Sequence, residues 1–173
     1  KMRALLWQAI ELIELSVRSS MANYLSLHHS PHWFLTPAVF KPTEKWGFGG
    51  FLKKIEDEVG RSKERRPVAH YFNTYEEPYL PPSWVISECV TLGIWSRIYT
   101  VLRDPNDRKA IARRFGVHQP EVFESWLHTV TYLRNVVAHH GQVFGVTLRI
   151  SPANYKGKRV NGVITGLNLG PDN

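Results

Sequence analysis

Apolar residues recur at steps of three and four over three long stretches, and each predicts a helix with one face turned to a core. In the first stretch Leu6, Ile10, Ile13, Val17, Met21 and Tyr24 form that face. A polar stripe of Glu11, Glu14 and Arg18 runs beside it. Its spacing suits a solvated intrahelical ion pair, or a buttress for a site. The second stretch opens at Trp84. There Val90, Ile94, Ile98 and Leu102 repeat at four, thickened by Trp84, Ile86 and Tyr99. The third starts at Gln119 or Pro120, a residue favoured in a first turn. It runs to about Gln142, where Gly141 and Gly145 supply stop signals.

Shorter elements fill the gaps. Residues 43–59 predict a helix weakened by Gly47, Gly49 and Gly50, and residues 67–75 a short helix or turn. Asn106 or Asp107 is the expected N-cap of a basic helix over residues 108–115, ended by Gly116. The run His28-His29-Ser30-Pro31-His32 breaks the first helix. Its histidines lack a regular spacing and a nearby Cys or Asp, so they read as a loop cluster and not as metal ligands. After Gly145 the pattern changes. Residues 146–150 alternate, and Asn161-Gly162 is a hairpin signal. The expected architecture is an all-α bundle over residues 1–145 with a short irregular or β-hairpin tail over 146–173.

The chain begins inside the first helical pattern with no N-cap, as a fragment lacking its upstream part would. Its 173 residues fit one domain, and no apolar run reaches the length of a membrane span. A single Cys89 excludes an internal disulfide, and a reducing cytoplasm is the simplest compartment. A formal charge of +7 favours a polyanionic partner. The cations are dispersed, with Lys109, Arg113 and Arg114 on the short basic helix as candidates for RNA contact.

The candidate chemistry sits on the third long helix. An arginine followed five positions later by a histidine occurs three times: Arg65 to His70, Arg113 to His118, and Arg134 to His139. The first contains Pro67 and the second Gly116, so only the third lies within a strong helical pattern. On a helical projection Phe123, Trp126, Val130, Leu133 and Val137 share the core face. Glu124, His128, Thr131, Asn135 and His139 lie on another, with Arg134 at the edge of the core. Arginine pairs two phosphate oxygens through its planar fork, and histidine moves protons near neutrality. Asn135 is placed to orient either. His140 projects about 100° further round a continuing helix and is the secondary candidate. On RNA the ribose 2′-OH is the nucleophile, so neither a metal nor a cofactor is needed. The bland alternative is a polar helix end whose histidines favour the C-terminal dipole.

The segment Tyr132-Leu133-Arg134-Asn135-Val136-Val137-Ala138-His139-His140 resembles the signature of Abi-like proteins, the AbiD/AbiF type of bacterial phage-defence loci. Residues 9–18, with Pro31-His32-Trp33-Phe34-Leu35 after them, resemble the family's first helix, and residues 84–115 resemble the region preceding the signature. The resemblance spans residues 4 to 145. It implies the HEPN superfamily of small helical bundles, many of them metal-independent RNases of toxins and phage defence. Carried onto this chain, it makes Arg134 and His139 the catalytic pair and Asn135 the polar residue beside them. Such sites are commonly composite, which implies a homodimer. A toxin of this kind also implies a restraining antitoxin RNA or protein. Glu14 and Arg18 are the supporting candidates. Where the family continues with a basic residue and a Trp-Asn pair, this chain has Gly141-Gln142-Val143.

Two rival readings remain open on the sequence. One is a catalytically silent HEPN module that binds RNA or a partner protein. The other is a helix-turn-helix over residues 112–122 that reads DNA with the helix from Gln119 onward.

Overall fold

The computed structural model describes residues 2–42, 47–143, 145, 147 and 149–154. Seven α-helices follow in order: α1 (Met2–His28), α2 (Phe48–Arg61), α3 (Arg66–Thr74), α4 (Ser83–Ile86), α5 (Leu92–Val101), α6 (Pro105–Arg114) and α7 (Pro120–Ala138). No strand occurs among the described residues, so the all-α expectation holds. A lone antiparallel bridge joins Phe40 to Leu102. Residues 147, 149 and 150 are not in a strand, and residues 146, 148 and 160–164 lie outside the described residues.

α1 and α7 are the axis of the molecule. They run antiparallel: Arg3 meets His140, and Glu14 meets Arg134. α5 packs on α7, and α4, α5 and α6 all pack on α1. Beneath them Trp33, Phe34, Phe51, Trp95 and Tyr99 are fully buried, joined by Trp33–Trp95 and Phe40–Phe51 ring contacts at 6.1 and 5.0 Å. Large rings bury the most apolar area per residue, which suits a core built from many short elements. Ile13 is a correction to the first stripe. It is 40% exposed, because α1 turns a narrower face inward at its N-terminal half.

The second long helix is also corrected. α4 ends at Ile86 and α5 begins at Leu92. The carbonyls that would continue the ladder are diverted: Ser87 O accepts from Arg18 at 3.2 Å, and Glu88 O accepts from Arg65. The N-cap of α6 is Asp104, not Asn106 or Asp107. Its carboxylate accepts the Asn106 N–H at 2.8 Å, with Pro105 in the first turn. That frees Asp107 to turn inward, where it binds Tyr24 and His29.

Candidate active site

Arg134 leaves α7 at the edge of the core, its side chain 32% exposed. Glu14 faces it from α1. A buried carboxylate must be compensated, and Glu14 is paired twice: with Arg18 at 3.2 Å and with Arg134 at 3.7 Å. The pairing corrects the reading of Glu14 and Arg18 as a solvated intrahelical ion pair. The Nε of each arginine is buried without a hydrogen bond, so Glu14 is the group that stabilises both charges there. Trp7 closes the far side, with the Arg134 guanidinium 5.8 Å from its ring centroid, and donates from Nε1 to Glu11 at 2.6 Å. Among the described residues the terminal amines of Arg134 meet no acceptor, so its fork is available to an anion.

α7 stops four residues earlier than its pattern predicts. His139 is the C-cap at φ −92°, its N–H donating to Asn135 O at 3.0 Å. His140 then takes φ +57°, the left-handed position usually filled by glycine. His140 N–H donates to Val137 O at 3.2 Å and Gly141 N–H to Val136 O at 2.8 Å, the two bonds of a Schellman cap. Gly141 is needed for this closure, since a Cβ there would lie 2.8 Å from Val136 Cγ1 and 3.0 Å from Val136 O.

This end geometry separates the two histidines. His139 keeps near-helical backbone, so its side chain leaves on the exposed stripe of Asn135 and His128. His140 lies beyond the helix and does not project 100° further round it, as a continuing helix requires. It is held from α1 instead. Arg3 places one amine 3.1 Å from His140 Nδ1 and the other 3.2 Å from His140 O and 3.1 Å from Gly141 O. Because a guanidinium only donates, Nδ1 of His140 accepts there.

Lys109, Arg113 and Arg114 are exposed on α6, away from this cluster. Arg114 sits over Tyr24, 5.3 Å from its centroid. Tyr24 is ten residues along α1 from Glu14, about 15 Å of helix.

A model of the family described as Abi-like protein matches residues 1–145. The chain belongs to the Abi-like protein family. The match places all of this cluster, from Arg3 to Gly141, within the family region and links the protein to phage abortive infection. No curated protein and no solved structure matches the chain. No described helix of this Abi-like protein is long and apolar enough to cross a membrane.

The sequence reading missed Arg3 and Trp7. Both lie on the stripe of Glu14 and Arg18, so extending that stripe by one heptad toward the N-terminus reaches Trp7, and four residues more reach Arg3.

Proposed function

We propose that this Abi-like protein is a metal-independent endoribonuclease of a phage-defence locus, with a HEPN-type bundle whose site is completed by a second copy. The observation that carries the reading is the placement of Arg134. It is fixed from behind by buried Glu14, and exposed Asn135 and His139 follow it within five positions at the end of α7. Arg134 would bind the scissile phosphate and offset the charge that develops on it. His139 would take the proton of the 2′-OH, or deliver one to the departing 5′-oxygen. The products are a 2′,3′-cyclic phosphate and a 5′-hydroxyl. Asn135 orients the phosphate, and Lys109, Arg113 and Arg114 hold RNA backbone further along. His140, engaged by Arg3, serves the cap.

The helix-turn-helix reading is the weaker one. α7 packs against α1, α5 and α6, and its Glu124 is bound to Arg108 of α6, so the would-be recognition helix is a core element.

The test is cleavage of a labelled mixed-sequence RNA in EDTA by the wild-type chain and by Arg134→Ala and His139→Ala. The expected result is cutting by wild type and a loss of at least a hundredfold in either variant. Binding without cutting by the wild type assigns a silent RNA-binding module instead.

A further inference from the structure

A cleft of about 560 Å³ lies between the C-terminal half of α1 and α4. Ser19, Asn23 and Ser26 line one wall; Trp84, Ser87 and Glu88 line the other. Ser26 Oγ on the α1 wall lies 2.6 Å from buried Ser83 Oγ. Trp84 is 54% exposed, and the core does not account for it.

We infer that this cleft takes an unpaired base of the RNA, stacked on Trp84. The inference rests on the ribonuclease reading of the Arg134 cluster and adds to it a subsite that sets where the strand lies. Three observations support it. The cleft walls carry hydroxyls and an amide beside apolar Ala22, Leu27 and Pro31, with Glu88 as the one formal charge, which suits a base and not a phosphate. An exposed indole offers a face on which any base stacks. Two arginines hold the backbone beside the ring. Arg18 is bonded to Ser87 O and Arg65 to Glu88 O, two successive carbonyls beneath the Trp84 turn. Through Glu14, Arg18 shares a carboxylate with Arg134, which ties the Trp84 turn to the proposed phosphate site. Arg65 is flanked in the chain by exposed Arg61, Lys63 and Arg66. An exposed ring on a turn held by two arginines fits a single strand, whereas a duplex keeps its bases stacked inside.

The test uses the cleavage-silenced His139→Ala chain and a short fluorescein-labelled mixed-sequence RNA, read by fluorescence anisotropy at several salt concentrations. Adding Trp84→Ala is expected to weaken binding at least about tenfold, while Trp84→Tyr, which keeps a stacking face, stays within about threefold. A stacked base contributes no counterion release, so Trp84→Ala leaves the salt slope unchanged, whereas Arg65→Ala lowers it by about one. Equal binding by the parent and Trp84→Ala, with Arg134→Ala weakened, overturns the subsite and spares the Arg134 reading. No RNA binding by the parent removes both. A changed oligomeric mass in Trp84→Ala at unchanged RNA affinity makes the cleft a protein contact and also overturns the proposal. Because the indole is exposed, unfolding midpoints of the variants should match the parent.

Discussion

Glu14 is the residue on which the site's stability turns. It neutralises two arginines whose Nε groups are buried, and no other carboxylate pairs with them among the described residues. Glu14→Gln leaves those guanidiniums facing each other uncompensated and should cost about 3 kcal/mol in urea unfolding. The mirror case is His140. Its left-handed backbone costs a residue with a Cβ about 1 kcal/mol. His140→Gly should therefore raise stability by about that amount, keep the Arg3 bonds to the two carbonyls, and leave cleavage intact. His140→Val should lose about 1–2 kcal/mol. Abolished cutting in His140→Gly, with His139→Ala active, would reverse the roles of the two histidines. His32 predicts a pH effect. Burial lowers its pKa below 6.5 in the folded chain, and its Nε2 has no partner. The unfolded chain then takes up the proton first, so this contribution is complete above about pH 6.5 and is lost as the pH falls toward the folded value. The gap between urea midpoints at pH 7.5 and 5.5 should narrow in His32→Phe.

At the scale of elements, what could be read from the sequence depended on whether a helix ended by its own residues or by a distant partner. α3, α6 and the start of α7 carry Pro67, Pro105 and Pro120 in their first turns, a local signal. At the break between α4 and α5 the Ser87 and Glu88 carbonyls are met by Arg18 and Arg65, 69 and 23 residues away, and no periodicity in residues 84–102 announces it. The end of α7 lies between these cases. Gly141 signals a stop, but it occupies the position after the left-handed residue, so the pattern assigns both histidines to the helix. Arg134, Asn135 and His139 could be singled out because they stand within five positions of one another in the chain. The partners of Arg134 on α1 could be guessed only as a stripe, since pairing across helices is fixed by packing. Gly141→Ala tests the cap. The added methyl meets Val136 and should cost about 1–3 kcal/mol, with a fall in cleavage as His139 shifts.

For the whole molecule, α1 presents its partners on one side and leaves Met2, Leu5, Leu12 and Leu15 more than half exposed on the other. A composite site predicts a particle of twice the 20.0 kDa chain mass in light scattering. Leu12→Glu with Leu15→Glu should shift that mass to one chain and reduce cleavage, with little change in the fold of the single subunit. A stable monomer that cuts RNA would show that one copy holds the whole site. The helical bundle is also closed on itself by its tail: Trp126 Nε1 donates to Ala153 O at 3.0 Å, and Ala153 N–H donates to Ser125 Oγ at 2.8 Å. The longest closures belong to the site. Arg3 is 137 positions from His140. A ribosome releases Arg3, Trp7 and Glu14 among the first residues of this region and Arg134, His139 and His140 among the last. An unfinished chain therefore holds one half of the cluster without the other. On the ribonuclease reading proposed above, a chain still being made would lack a complete site until its last helix had emerged.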